Sequence, residues 1–415
     1  MKLTLSLDGF SRGLQRTFAA LQFRNYRLWF FGQLISLAGT WMQSAAQGYL
    51  VYELTKSPAV LGYVGFASGL PAWLFTVYGG VAADRLPRRS VLLVTQSAMM
   101  ALAFLLAGLV FTKTVQPWHI LVISFGVGVA NALDSPARLA IVADLVDREE
   151  MTNAIALNAL MFNLATVVGP ALAGVVYAAL GPGWSFALNG VSYLAVIGAL
   201  LLMRLPNRRP TPSGERVAEQ LREGFRYTIQ SPVIRTVVIN IGVLSLFGMS
   251  LLVLLPAWAV DVLGGDVRTN GFLLASRGVG ALVGALMIAY LGQRVVRGRL
   301  WTAGTLLLPP ALTVFALWHW APAALATLVL VGWSFIVVAN ISNALIQTSV
   351  PDHLRGRVLS IYTMVFFGSM PLGALWIGQL AERVSEPAAV LANAAILGAS
   401  ALLLLWRAPF MRRLA

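Results

Sequence analysis

Hydrogen-bonding side chains recur at three- and four-residue steps in an otherwise apolar segment near the start of this chain. The set, called the polar stripe below, is Gln33, Ser36, Thr40, Gln43, Ser44 and Gln47. In an α-helix this spacing places all of them on one face. Amides and hydroxyls in such a row bind the polar groups of a ligand, or they hold neighbouring helices together. We expect Gln33, Thr40, Gln43 and Gln47 to contact a ligand, with interhelical bonding as the alternative.

A few ionisable groups also lie in apolar surroundings. Arg277 stands in the segment LLASRGVGALVGAL, and an arginine at the centre of a membrane costs about 3 kcal/mol even on lenient insertion scales. This cost predicts a specific role. Arg277 either binds an anionic or catechol-like group of a ligand, or it pairs with a carbonyl or carboxylate for structure. Asp134 is the first candidate for carrying a proton, and Glu53 is the second.

Further candidates for ligand contact are amides and indole rings inside apolar segments. The amides are Asn131, Asn340 and Asn343, and the indoles are Trp41, Trp73 and Trp333. Indole rings offer flat faces to an aromatic or cationic ligand. Lipid contact or packing in the protein core is the alternative for each ring.

Several kinds of enzyme chemistry are excluded by the residue types. The chain has no cysteine, so thiol chemistry and disulfides are absent. Its three histidines, His119, His319 and His353, fall on opposite sides of the predicted membrane segments and do not converge on a metal. A nucleotide-binding P-loop needs a Gly-Lys step, whereas the three lysines follow Met or Thr. We therefore expect no enzyme activity, metal or cofactor.

The elements that hold these residues are membrane helices. Hydrophobic residues make up 58% of the chain and charged residues only 11%, against about a quarter charged in soluble proteins. Twelve apolar runs are long enough to cross a bilayer. They cover residues 28–52, 58–82, 90–112, 117–136, 153–180, 184–204, 234–260, 270–292, 300–318, 321–346, 358–381 and 387–406.

The basic residues predict how these helices are oriented. With the N-terminus in the cytoplasm, 25 of the 30 Lys and Arg fall on that side of the membrane, and only Lys56, Lys113, Arg268 and Arg383 fall on the other. This asymmetry predicts that both termini are cytoplasmic. It also explains the net charge of +14 by contact with membrane lipids, so we expect no nucleic-acid partner.

The polar interruptions divide the chain into two halves with six helices each. The predicted parts are a cytoplasmic amphipathic arm over 1–27, a six-helix bundle over 28–204, a cytoplasmic linker with an amphipathic helix over 205–233, a second six-helix bundle over 234–406, and a cytoplasmic tail over 407–415. Motifs in the halves echo each other at an offset near half the chain length. A parallel repeat of this kind is typical of a secondary transporter.

Two motifs resemble those of the major facilitator superfamily. In GGVAADRLPRRS, residues Gly80, Asp84, Arg85, Arg88 and Arg89 match its signature G-x-x-x-D-R-x-G-R-[RK], with Pro87 in place of the usual glycine. Gly169, Pro170 and Gly174 resemble a relaxed form of the helix 5 motif of its exporters.

Longer segments, such as GTWMQSAAQGYLVYELTKSP and DSPARLAIVADLV, resemble the efflux branch that contains the enterobactin exporter. The resemblance covers nearly the whole chain. It implies an all-α fold of twelve transmembrane helices, with helices 1, 4, 7 and 10 around a central cavity.

The resemblance also implies a conformational latch. Its members would be Gly80, Asp84, Arg85, Arg88, Arg89, Gly169, Pro170, Gly174, Arg355 and Arg357. We expect Asp84 to meet the positive end of predicted helix 11 and Arg88 to pair with Asp134. The alternative is a charge cluster that only sets the topology.

The expected function is export of a small amphipathic or aromatic molecule, such as a siderophore-like metabolite or a drug, by a monomer in the bacterial cytoplasmic membrane. Alternating access of the rocker-switch type, driven by protons, would suffice. Because the polar stripe is uncharged, coupling through Asp134 and uniport both stay open. Import of a sugar or another small metabolite is the alternative, since fold does not fix direction.

Overall fold

A computed structural model describes residues 18–204, 217–292 and 296–414, apart from the side chains of residues 76–77, 81–85 and 217–221. The described part of the chain is helical and contains no strand. Most of the predicted N-terminal arm lies outside it.

The described residues form twelve long helices, numbered α1 to α12, one shorter helix between the two halves, and four short 3-10 turns. The helices of the first half are α1 (Arg24–Thr55), α2 (Pro58–Arg85), α3 (Arg88–Phe111), α4 (Pro117–Ile141), α5 (Met151–Leu180) and α6 (Pro182–Leu202). The linker helix is Val217–Gln230. The second half comprises α7 (Pro232–Val262), α8 (Val267–Leu291), α9 (Arg297–Leu317), α10 (Ala321–Ser349), α11 (Asp352–Arg383) and α12 (Glu386–Arg407).

Eleven of these helices, α2 to α12, are long and apolar enough to cross a membrane. The exception is α1, which has 32 residues but carries the polar stripe, and the stripe lowers its hydropathy. α1 nevertheless packs along α5 and α6 as a full member of the bundle. The chain is therefore a multi-pass membrane protein.

The helix ends follow from local residue chemistry. Pro58, Pro117 and Pro182 each occupy the first position of a helix, where the missing N–H costs nothing. Lys56 and Lys113 adopt a left-handed conformation in the turns after α1 and α3, which reverses the chain within a few residues. These short turns lie at one end of the bundle, called the distal face below. The opposite end, which holds Arg24, the linker helix and Arg407, is called the linker face.

α7 is not a regular helix. Two stretches, Leu244–Gly248 and Trp258–Val262, form wide π-type turns. The carbonyl of Phe247, within the first of them, accepts a hydrogen bond of 2.9 Å from the Asn393 side chain on α12. This contact satisfies a backbone group that a broken helix would leave unpaired. Between the two π turns, Met249, Ser250, Leu252, Val253 and Pro256 face the space between the halves, whereas Leu251, Leu254 and Leu255 lie in the core of the second half.

Each half has its own apolar core. One cluster of buried residues runs from Ile234 to Met411, and another from Ala20 to Met203. A third cluster, near the distal face, joins Ala257 and Val267 of the second half to residues of the first. The halves also meet where α2 packs on α11 and α5 packs on α8. Two bundles that pack within themselves and touch along two seams leave a space between them.

Candidate functional site

A cavity of about 460 Å³ lies between the two halves. The first half lines it with ten hydrogen-bonding residues, Thr40, Gln43, Ser44, Gln47, Ser68, Ser124, Asn131, Thr166, Asn189 and Tyr193, and with as many glycine, apolar or indole residues. The second half lines it with apolar groups: Met249, Leu252, Val253, Pro256, Leu274, Phe367, Met370, Pro371 and Ala374. Only Ser250 and Arg277 interrupt this second wall. The cavity thus has one mixed wall that carries nearly all of its hydrogen-bonding groups, called the polar wall below, and one apolar wall.

Residues of the polar stripe bond to neighbouring helices while they line the cavity. The Gln47 side chain donates to the Ser124 hydroxyl over 2.8 Å, and the Asn189 side chain donates to the side-chain oxygen of Gln43 over 2.7 Å. The Thr40 hydroxyl lies 3.3 Å from the hydroxyl of Tyr193. The interhelical bonding expected as the alternative is therefore present in side chains that also line the cavity, and their contact with a ligand stays a prediction. Each interhelical bond uses only part of the hydrogen-bonding capacity of an amide.

Arg277 is the cationic group of the apolar wall. It is half-buried near the middle of α8, and no described residue supplies it with a hydrogen bond or an ion pair. The backbone beside it is fixed, because Gly278 packs against Thr166 of α5 and Gly332 of α10 packs against the Arg277 carbonyl. The guanidinium is therefore a positioned and uncompensated charge beside the cavity, which favours an anionic guest.

The other predicted contact residues lie apart from the main cavity wall. Trp73 is half exposed and packs on Gly368 of α11. Trp333 packs against Gly284 within the second half. Asn340 is exposed, and Asn343 accepts a hydrogen bond from Gln347. The structure thus brings Thr40, Trp41, Gln43, Gln47, Asn131 and Arg277 together, and it does not bring Trp73, Trp333, Asn340 or Asn343 to the same surface.

A smaller cavity of about 170 Å³, called the side chamber below, adjoins the main one within the first half. The two share the wall residues Thr40, Trp41, Asn131 and Tyr193. Gln33 lies in the side chamber and not in the main cavity.

Asp134 also lines the side chamber. One of its carboxylate oxygens accepts hydrogen bonds from the Thr95 hydroxyl, over 2.8 Å, and from the Gln96 side chain, over 2.9 Å. The other oxygen lies 3.5 Å from the Arg138 Nε. The expected pair between Arg88 and Asp134 is therefore wrong. Asp134 points into the bundle, where Arg138 of its own helix is one turn away.

Arg88 instead binds the last turn of α4 and the residues just after it. Its guanidinium donates to the Asp144 carboxylate and to the Ala140 carbonyl, each over 2.8 Å. Arg89 donates to the Leu201 carbonyl at the end of α6 over 2.9 Å. Both arginines therefore hold helices of the first half together at the linker face. The side chains of Asp84 and Arg85 lie outside the described residues.

Gly80, Arg355 and Arg357 are further members of the expected latch. Gly80 has an open surface, since a Cβ there would meet nothing within 4 Å. Arg357 pairs with Glu223 of the linker helix, and Arg355 pairs with Asp352 at the start of α11. α11 begins at Asp352, six residues before the predicted start at 358. Asp352, Arg355 and Arg357 are therefore part of that helix.

Gly169, Pro170 and Gly174 hold α5 against its neighbours. A Cβ at Gly169 would lie 2.7 Å from the Ala38 carbonyl on α1. A Cβ at Gly174 would lie 3.0 Å from the Arg268 Cα on α8, and a Cβ at Gly271 would lie 2.6 Å from the Pro170 carbonyl. Small residues permit this backbone approach. Gly174 and Pro170 therefore belong to the seam between the halves, whereas Gly169 belongs to the first half.

Hydrogen bonds between the described parts of the two halves lie toward the distal face. Glu382 of α11 accepts from the Ser57 hydroxyl over 2.7 Å and from the Ala59 backbone N–H over 3.2 Å. This contact is called the distal clasp below. The Gln379 amide also donates to the Tyr63 hydroxyl over 2.7 Å.

Acidic and phenolic groups add to the closure at the same end. The Tyr52 hydroxyl donates to Asp261 across the two halves, and the Tyr177 hydroxyl donates to Glu53 within the first half. Glu53 is exposed and lies away from the main cavity. The distal end of the bundle is thus closed by hydrogen bonds as well as by helix packing.

Sequence reasoning missed three features of this site. Asn189 and Tyr193 lie on α6, whose apolar pattern hid their role in the polar wall. Glu382 was not singled out, and it lies one residue beyond the predicted helix 358–381. The side chamber depends on how α1, α3 and α4 pack, and the spacing within a single helix contains no signal for it.

Two six-helix bundles around a central cavity define a membrane transporter of the major facilitator fold. The solved structures that resemble the chain include a bacterial homologue of the human lysosomal transporter Spinster, at 15% identity and a TM-score of 0.70, covering 94% of this chain and 95% of the other. They also include the nucleoside transporter NupG, at 11% identity and a TM-score of 0.75, covering 92% and 98%. At these identities the likeness concerns the fold alone.

The sequence profile of the transmembrane secretion effector family matches residues 15–413, and the chain belongs to that family. It is 28% identical to the multidrug efflux pump Tap of Mycolicibacterium fortuitum, over 87% of this chain and 90% of the other. It is 27% identical to the enterobactin exporter EntS of Escherichia coli O1:K1, over 89% and 88%. The resemblance inferred from the motifs is confirmed, and these relatives are transporters rather than enzymes.

Proposed function

We propose that this protein exports a small amphipathic or aromatic molecule, such as a siderophore-like metabolite or a drug, across the bacterial cytoplasmic membrane. All twelve helices cross the bilayer in this proposal, and the linker face with both termini lies in the cytoplasm. The excess of Lys and Arg at that face supports the orientation. The names of Tap and EntS support efflux as the direction.

The observation that carries the proposal is the two-sided cavity with Arg277. A molecule with an apolar or aromatic body packs on Leu252, Val253 and Phe367, while its hydroxyl or amide groups bond to the opposite wall. A carboxylate or another acidic group offsets the charge of Arg277. A sugar, in contrast, presents hydroxyls on all sides and leaves the apolar wall without a complementary surface.

The closed distal end supports access from the cytoplasm. The distal clasp, the Tyr63–Gln379 bond and the glycine contacts of α5 with α8 hold the halves together at that end. Rocking of the halves about the cavity breaks these contacts and opens the cavity to the outside. At the linker face, Gly80, Asp84, Arg85, Arg88, Arg89, Arg355 and Arg357 would form the opposing closure.

Asp134 is the proposed proton-coupling residue, with Glu53 as the second candidate. Asp134 is a buried carboxylate one wall away from the substrate cavity, and Arg138 and Gln96 lie at its oxygens. A proton taken up by this carboxylate weakens its hold on Arg138. Such a change beside Asn131 and Tyr193 reaches the polar wall directly, because both residues line the two cavities.

Comparative metabolite analysis tests the proposal. A strain lacking the protein is compared with strains overproducing the wild type or the Arg277→Met variant, under iron-replete and iron-poor growth. Export predicts a compound that is retained by the deletion strain and enriched in the medium of the wild-type overproducer, but not in that of the variant. Depletion of a nutrient from the medium by the wild-type overproducer would identify an importer instead and refute export.

A further inference from the structure

The side chamber is lined by polar groups whose hydrogen bonding is incomplete within the described part of the chain. Gln33, Gln96 and Asp134 line it, and each is more than nine-tenths buried. The Gln33 Nε2, the Gln96 Oε1 and the second oxygen of Asp134 all lack a hydrogen-bond partner among the described residues. Buried polar atoms are almost always hydrogen-bonded, because desolvation without a partner is costly. Three such atoms around one cavity indicate a guest.

Gln33 is the most informative of the three. Gln96 and Asp134 bond to each other, whereas no described residue forms a hydrogen bond with the Gln33 side chain. A glutamine that served only to join helices would have found a partner, as Gln43 and Gln47 on the same face of α1 do. Its amide is therefore free to bind whatever occupies the side chamber.

We propose that the side chamber is a second substrate subsite that takes an uncharged, amide-like head group. This inference rests on the proposed function, since the body of the same molecule would lie in the main cavity. The free Gln96 oxygen and Asp134 oxygen accept hydrogen bonds, and the free Gln33 nitrogen donates one. A carboxamide or hydroxamate has the complementary set, with N–H or O–H donors and one carbonyl acceptor.

Charge and size favour this class over an ionic group. The Asp134 carboxylate already has Arg138 at 3.5 Å, so a second charge in the chamber would lack a counter-charge. The volume of about 170 Å³ holds about five water molecules or one small head group. Gln33 lies two turns of α1 from the shared wall at Thr40, which is roughly 10 Å along the helix. A substrate therefore reaches it with a short arm.

Two matched compounds test the proposal with the full-length protein in lipid nanodiscs. Both carry a naphthalene ring, a carboxylate to pair with Arg277, and a three-carbon arm. The arm ends in a primary carboxamide in one compound and in an isopropyl group in the other. The isopropyl group has a similar size but neither donates nor accepts a hydrogen bond, so the ratio of the two dissociation constants reports on the hydrogen bonds of the head group.

The proposal predicts that the wild type binds the amide about tenfold more tightly than the isopropyl compound, as expected for well-formed buried hydrogen bonds. Gln33→Met removes the donor to the amide carbonyl, so it lowers this ratio and leaves binding of the isopropyl compound unchanged. Gln47→Met is the matched control, because Gln47 lines only the main cavity, and it keeps the ratio. Gln33→Met removes no described hydrogen bond, so the melting temperature of the unliganded protein should not fall.

A second variant approaches the chamber from another helix. Met99 of α3 lines the chamber and makes none of the polar contacts above, so Met99→Phe should fill the space and weaken amide binding selectively. Equal binding of the two compounds by the wild type, as in a chamber that holds only water, would overturn the inference and leave the proposed function intact. A ratio that survives both variants would overturn it as well. Failure of both compounds to bind would refute the role of the main cavity and this inference together.

Discussion

The distal clasp predicts a shift in conformation when Glu382 is changed. Its carboxylate belongs to α11, yet it accepts hydrogen bonds from the Ser57 hydroxyl and the Ala59 N–H of the other half. The Ala59 N–H lies in the first turn of α2, where unpaired N–H groups favour an anion. These bonds exist only while the halves are closed at the distal face. Glu382→Ala should therefore favour the state that is open at this face.

The size of the effect follows from two hydrogen bonds to one exposed carboxylate. At the low end of the range for such bonds, the pair contributes about 1.5 kcal/mol. Losing it changes the ratio of the two conformations by about tenfold. Glu382→Gln keeps an acceptor oxygen but loses the charge, so its shift should be smaller. Glu386→Gln is the matched control, because Glu386 is a nearby carboxylate for which no hydrogen bond to the other half is described.

Distance measurements between spin labels can detect this shift. The chain has no native cysteine, so cysteines placed at Thr114 in the first half and at Trp320 in the second can be labelled without further changes. Both positions are exposed at the distal face. Glu382→Ala should raise the ratio of the longer-distance population to the shorter-distance population by about tenfold. A distance distribution identical to that of the Glu386→Gln control would refute the role of the clasp.

Four further predictions concern the cavity, the coupling and the seams. Arg277→Met should abolish binding of a carboxylate-bearing substrate while an uncharged analogue still binds, measured by equilibrium binding in nanodiscs. Asp134→Asn should stop uphill transport driven by a pH gradient but retain exchange at equal pH, measured in proteoliposomes. Gly174→Val should push α5 from α8, since a Cβ there lies 3.0 Å from the Arg268 Cα, and should lower the melting temperature. Asp84→Asn should reduce transport while membrane insertion, measured by fractionation, is unchanged.

Each of these predictions has a contrary result. Equal loss of charged and uncharged ligands in Arg277→Met would point to a structural role for the arginine. Unchanged uphill transport by Asp134→Asn would show that Asp134 is not the coupling residue and would leave Glu53 as the candidate. An unaltered melting temperature in Gly174→Val would show that the seam yields easily. Wild-type transport by Asp84→Asn would leave its loop with a topological role only.

The sequence predicted the membrane helices well because hydrocarbon thickness sets their apolar length. Their ends were harder to place, since a helix continues past the apolar run into the polar interface. Thus α1 extends from Arg24 to Thr55 beyond the predicted 28–52, and α11 begins at Asp352 instead of 358. The π turns of α7 also escaped prediction. They depend on contacts such as that of Asn393 with the Phe247 carbonyl, which come from a distant part of the chain.

The site was predictable to the extent that one helix face determines it. The polar stripe is a property of α1 alone. Its members Thr40, Gln43, Ser44 and Gln47 line the main cavity. The partner of Arg88 was not predictable, because Asp134 and Asp144 lie on the same stretch of chain and only the packing of α3 and α4 selects Asp144. Trp333 illustrates the same limit, since its depth in α10 was clear but its packing against Gly284 was not.

The contrast between the two cavity walls has a consequence for how such proteins diversify. The hydrogen-bonding groups of the cavity come almost entirely from the first half. The second half supplies an apolar surface of Leu, Val, Met and Phe side chains around the charge of Arg277. We therefore expect mutations before the linker to change which compound binds, and mutations after it to change mainly how large that compound can be. A chimera joined within the linker should inherit its chemical preference from its first parent and its size limit from its second.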